Sequence, residues 1–191
     1  MTTPTTTLID GVELPAPGTF VLEPNHTTLG FVARHLMVTK VRGHFAEFEG
    51  SITIAGEPHA STADVTIKTA SVETGTADRD NHLRSGDFFE AEKYPEITFH
   101  NARVTSQKGT DFTVVGDLTI KDVTREVELA VELDGVVKDP FGGTRLAVTA
   151  TTEVDREDWG MTWNAALETG GVLVGKDVTI TLDLQGALQQ D

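Results

Sequence analysis

The chain has 191 residues, no cysteine, and 30 acidic against 15 basic side chains, a formal charge of −15. The missing cysteines exclude disulfides, thiolate nucleophiles and thiolate metal sites. The negative charge repels phosphate backbones and anionic bilayers unless a local basic patch offsets it, so nucleic acid is not an expected partner. No stretch approaches the length of an apolar membrane span, and stable membrane insertion is not expected either. The N-terminus lacks a basic region followed by an apolar run, so a cytoplasmic protein is the expectation.

Residues 1–17 are Thr-rich and are expected to form a flexible lead-in to a single domain over 18–187. A first strand covers Thr19–Glu23 and stops at Pro24 and Asn25, which do not continue a central ladder. A second runs from Thr27 to Val38, with Phe31 in the parity of Leu29, Ala33 and His35, and Val32 and Arg34 on the other side. Over 43–54, a bulge near Glu49 and Gly50 is expected to set Phe48, Ile52 and Ile54 on one face. Alternation is clean over 61–72. Thr76 then reads as the cap of a short helix, with Asp78 and Asp80 at its positive end. The segment near 77–92 carries Leu83, Phe88 and Phe89 on a polar background, with Tyr94 just beyond. That pattern suits a helical plug over a barrel opening.

Further strands are expected over 97–104, 111–120, 124–133, 144–154 and 176–184, with turns near 107–109 and at Asp134–Gly135. Residues 155–174 are the least regular part. Period-two alternation with Thr and acids on one side means sheets wet on one face and buried on the other. For an all-β antiparallel chain of this length, that points to a sandwich or to a closed barrel of about eight strands, in which the last strand would meet the first and leave no open edge.

Chemistry is sparse. The chain has no G-x-S-x-G elbow, no phosphate loop, no dinucleotide turn and no H-E-x-x-H pair. His26, His35, His44, His59, His82 and His100 lack ligand spacing, and no cofactor is expected. Arg79 reads as a structural clamp at the helix start. The modest basic cluster of Arg34, His35, Lys40, Arg42 and His44 reads first as ordinary surface pairing with acids, and second as an anion-facing rim. Trp159, Met161 and Trp163 share a parity and either complete a core or line a ligand mouth.

The segments H26-T-T-L-G-F-V-A-R-H-L36, V41-R-G-H-F-A-E-F-E-G50, R79-D-N-H-L-R-S-G-D-F-F89, Y94-P-E-I-T-F99, G116-D-L-T-I-K-D-V-T-R125 and R156-E-D-W-G160 occur in this order. Together they closely resemble the YceI-like, or polyisoprenoid-binding, family over about residues 18–185. The resemblance implies a lipocalin-like barrel with an apolar tunnel, holding a polyisoprenoid, an isoprenoid quinone or a fatty-acid-like amphiphile without catalysis. It implies wall residues Phe31, Val65, Ile67, Phe99, Val114, Leu129, Val131, Val148, Ile180 and Leu182. Phe45 and Phe48 would narrow the tunnel, and Phe89, Met161, Trp163 and Leu167 would sit nearer an opening. Arg34, His35 and Asn164 would meet a polar head. Two other readings stand beside binding: an enzyme using His or carboxylates at the barrel mouth, and a filled structural barrel acting through protein contacts. A homodimer through the barrel flank and the 156–175 segment is a further expectation.

Overall fold

Thr, Val and Ile alternate with acids along most of the chain, and these segments pair as antiparallel strands in a computed structural model that describes residues 5–190. In chain order the strands are β1 (Thr6–Ile9), β2 (Val12–Pro15), β3 (Gly18–Leu22), β4 (Thr28–His35), β5 (Thr39–Phe45), β6 (Phe48–Ile54), β7 (Thr62–Lys68) and β8 (Val72–Glu73). The helix α1 (Ala77–Arg84) follows. Then come β9 (Glu96–Lys108), β10 (Asp111–Ile120), β11 (Val123–Lys138), β12 (Thr144–Asp155) and β13 (Val174–Leu188).

Eight strands close into a ring in the order β3-β6-β7-β9-β10-β11-β12-β13, with β13 returning to β3. Closure depends on the length of β13. One edge pairs with β12 from Asp177 to Ala187. The other pairs with β4 from Val174 to Asp183 and then with β3 from Gly186 to Leu188. The last strand thus meets the first, as a closed barrel requires, and β4, β5 and β8 extend from β13 as a wing. At the seam Phe20 is 1% exposed. It lies across Gly186, where a side chain would collide with its Cβ.

The strands differ from the expected ones at four places. The strand expected to run to Val38 ends at His35, because 36–38 form the loop into β5. Phe45 and Phe48 belong to separate strands, because the chain breaks at Ala46 and Glu47; Lys68 N–H bonds the Glu47 carbonyl there. β6 then pairs with β7 without a register shift from Phe48 to Thr53, so the bulge expected at Glu49–Gly50 is absent. Asp134–Gly135 is a bulge within β11 rather than a turn, since pairing with β12 resumes at Gly135 and continues to Lys138. A further bulge interrupts the β9–β10 ladder opposite Gly116. There Asn101 takes a positive φ of 55° and donates through Nδ2 to Asp117 at 2.8 Å.

The helix is shorter than the plug segment expected near 77–92, ending at Arg84 before a run of turns. Thr76 sits at its start without making a side-chain cap. Asp80 instead accepts from the Thr74 N–H and hydroxyl, while Arg79 donates to the Thr74 carbonyl and to Thr76 Oγ1. Residues 6–15, expected as part of a flexible lead-in, form the β1–β2 hairpin. Its Leu14 is buried because β2 lays it across the end of the barrel beside β11. Residues 1–4 of that lead-in lie outside the described residues.

Replacing Phe20 with Ala removes a fully buried ring from the closing seam. The expected cost is about 3–5 kcal/mol of unfolding free energy, read as a lower denaturant midpoint.

Candidate functional site

Inward positions along the ring are almost uniformly apolar, and toward one end they pack most closely while still lining the central space. Ile97, Leu118, Ile120, Val127, Trp159 and Met161 form a core cluster there, with Phe45, Ile67, Phe89 and Phe99 packed against it. Trp159 is fixed by donating Nε1–H to the Leu118 carbonyl at 3.2 Å. Along the rest of the barrel the facing side chains do not meet. They enclose a cavity of about 330 Å³ that reaches from Leu14 and Pro15 at the hairpin end to Leu83, Phe88 and Trp159 at the other.

Two aromatic rings shape this cavity, and both lie on glycine. A methyl group at Gly116 would come within 2.4 Å of the Phe99 ring, and one at Gly43 within 2.4 Å of the Phe31 ring. The glycines thus act as shelves on which the rings lie back against the wall. Phe31 and Phe45 have centroids 5.8 Å apart, and Phe45 meets Phe89 edge-on at 5.7 Å.

Thirteen of the residues singled out by sequence line the cavity: Phe31, Phe45, Val65, Ile67, Phe89, Phe99, Val114, Leu129, Val131, Val148, Met161, Ile180 and Leu182. Six do not. Phe48 pairs opposite Ile67 on the inward face but is not on the wall. Arg34 lies on the outer face of β4, out of phase with the wall residues Phe31 and Ala33, and His35 ends that strand beyond the cavity. Trp163 packs outside, against His82 at 4.6 Å and Phe88 at 5.5 Å. Asn164 spends its amide on the chain itself, donating to the Val174 carbonyl at 2.7 Å and accepting from the Val174 N–H at 3.0 Å. Leu167 belongs to a turn in which its N–H bonds the Gly171 carbonyl.

Sequence reasoning missed two contributions. The β1–β2 hairpin supplies Ile9, Leu14 and Pro15 to the wall. More telling is Arg156, a charged residue 4% exposed that lines an otherwise apolar cavity. Its guanidinium donates through Nε to Gly175 O at 2.9 Å, through Nη1 to Met161 O and through Nη2 to Val174 O at 3.4 Å. The Phe88 ring lies 5.8 Å from its Cζ. Burial pushes its proton affinity below the ordinary arginine value, and nearby Glu157 and Asp155 oppose that shift. The signal was the R156-E-D-W motif, where a charge falls in register with inward Val154.

Two substitutions probe these features. Gly116 has an ordinary φ, so Gly116→Ala is tolerated by the backbone but drives the Phe99 ring into the cavity. It should cost about 1–3 kcal/mol by overpacking and reduce the space seen by an apolar fluorescent probe. Arg156→Met takes the guanidinium from the Gly175 and Met161 carbonyls, while the Val174 carbonyl keeps the Asn164 amide, and should lower the unfolding free energy by about 2 kcal/mol or more; thermal unfolding measures this.

Known proteins resemble the chain in both sequence and fold. A UPF0312 protein of Staphylococcus aureus strain N315 is 42% identical over 163 residues, covering 83% of this chain and 91% of that protein. The structure of Burkholderia cenocepacia BcnA superposes with a TM-score of 0.75 at 19% identity, covering 86% of this chain and 98% of that one. A Campylobacter jejuni YCEI protein gives 0.71 at 28% identity, over 82% and 90% of the two chains. A polyisoprenoid binding domain from Saccharophagus degradans gives 0.65 at 20% identity, over 91% and 100%. The family model described as the YceI-like domain matches residues 20–186, the span of the closed ring and its wing, and the chain belongs to that family.

Proposed function

We propose that this protein holds a polyisoprenoid or similar long-chain amphiphile inside the barrel, for storage or transfer. The observation that carries this reading is a long, narrow cavity walled by aliphatic and aromatic side chains. Among the described residues no carboxylate or imidazole lines it, so acid–base chemistry has no group to work with there. The similarity in fold to a polyisoprenoid binding domain from Saccharophagus degradans supports the same direction.

Geometry constrains the cargo. Along β12 and into the turn that follows it, the wall runs from Leu146 through Val148, Ala150 and Val154 to Arg156. At about 3.3 Å per residue and a barrel tilt near 40°, that stretch covers roughly 25 Å along the axis. An extended chain advances about 1.2 Å per bond, which matches roughly twenty main-chain bonds. Each buried methylene contributes about 0.8 kcal/mol before the entropic cost of holding the chain. Arg156 is the polar group on the wall best placed to meet a head group, since its three carbonyl partners leave two of its five N–H donors free.

Native mass spectrometry of delipidated protein, offered prenyl alcohols and fatty amides of graded length, tests this reading. Stoichiometric uptake should rise with chain length and level off near about twenty main-chain bonds. Val131→Asp should abolish uptake in a folded barrel, because it sets a carboxylate in the apolar wall against the buried chain. Uptake that ignores chain length, or that survives in folded Val131→Asp, overturns the reading.

A further inference from the structure

The β4–β5 hairpin carries features the cavity does not use. Leu36, Met37 and Val38 form the three-residue loop between the paired His35 and Thr39, tightened by the Val38 N–H to His35 carbonyl bond at 3.2 Å. Its first two residues, Leu36 and Met37, have φ of 54° and 61°, conformations that normally select Asn and Gly. Both are instead large and apolar, and with Val38 they are 44%, 54% and 75% exposed. Neither the strain nor the exposure improves folding in water.

Behind this tip the outer face of the hairpin is basic. Arg34 pairs directly across the ladder with Lys40, and Arg42 sits opposite Val32 on the same face. Like charges in direct register repel. Contrary to the surface pairing expected for this cluster, no salt bridge among the described residues engages Arg34, Lys40 or Arg42; only His44 of the group meets an acid, Glu73 at 3.6 Å. Lys176 flanks the same groove and is held by Glu157, while Glu153 and Asp177 are its acidic members. On a chain of net charge −15, this concentration of unpaired cations around an apolar tip is anomalous.

We propose that the β4–β5 tip docks the barrel reversibly on an anionic lipid surface. Leu36, Met37 and Val38 enter the interfacial layer, and Arg34, Lys40 and Arg42 lie against the head groups. The hairpin stands at the end of the barrel that carries Arg156: the Leu36 N–H bonds the Leu173 carbonyl, and the adjacent Val174 is on the cavity wall. Docking therefore brings that end of the cavity to the lipid. The prominent exposed ring of Phe141, at the opposite end, lacks such a collar. Its neighbour Arg145 is engaged by Glu23 and Asp139 at 2.9 and 3.0 Å.

Co-sedimentation with phosphatidylcholine vesicles, with and without about a quarter phosphatidylglycerol, tests the proposal. Wild-type protein should bind only the anionic vesicles, and added salt should release it. Arg34→Gln, Lys40→Gln and Arg42→Gln should each weaken binding roughly fivefold. Met37→Ser with Val38→Ser should abolish binding, and Phe141→Ser should leave it unchanged. Uptake of a dispersed prenyl alcohol, measured on the same variants, reports separately on the barrel and its cargo, so docking and cargo binding fail distinguishably. Equal binding to neutral and anionic vesicles, or full binding by the folded tip variant, overturns the proposal. Sedimentation velocity showing a dimer that the tip variant loses assigns the tip to a second copy of the chain and overturns it as well.

Discussion

Everything in this molecule depends on β13 satisfying two edges at once. A strand that pairs with β12 along one side and with β4 and then β3 along the other turns an open sheet into a ring. Closure gives the ladder bonds of the ring a partner on both sides and removes the edges that would otherwise recruit another chain. It also sets the bore, since eight tilted strands leave an interior that side chains can either fill or line. The same seam supports the wing: β4 hydrogen-bonds to the N-terminal half of β13, which positions the β4–β5 hairpin beyond the ring.

The interior follows from how much the inward residues reach across that bore. Where Trp159, Met161, Leu118 and Ile97 converge, the core is packed and one end is firm. Where Val, Ala and Ile face one another, they stop short, and the rings of Phe31 and Phe99 are laid flat on glycine instead of projecting. A hollow of this kind forgoes dispersion contacts that a packed core would make. The sequence therefore preserves space at some expense of stability, and the closely packed end and the long ladders offset the loss. Charge is segregated just as strictly: acids occupy the wet face, and the one guanidinium on the wall is tied to backbone carbonyls rather than to a carboxylate.

Much of this was readable from period two alone. Val65, Ile67, Leu129, Val131, Ile180 and Leu182 fall on the wall because strand parity maps directly onto inside and outside once the ring is closed. Parity failed where the chain leaves a strand. Trp163, Asn164 and Leu167 lie in irregular backbone, whose direction alternation does not encode, and all three point away from the cavity. His35 has the inward parity but ends β4 too early to reach the bore. The hairpin of 6–15 escaped because Thr-rich composition resembles a lead-in, while its burial depends on contact with β11, far away in sequence. Asp134–Gly135 looked like a turn because the same residues that favour turns also accommodate a bulge.

The β1–β2 hairpin pairs only with itself, yet it contributes Leu14 and Pro15 to the cavity wall. The vessel and its stopper are thus thermodynamically separate parts. The ring opens only with global loss of its ladder, whereas the hairpin can detach while every ring hydrogen bond stays intact. For an amphiphile that passes through that end, the hairpin is a kinetic element. Microscopic reversibility then requires that loosening it speed entry and exit by the same factor. Occupancy at equilibrium would be set by the wall, and the tempo of exchange by ten residues at the start of the chain.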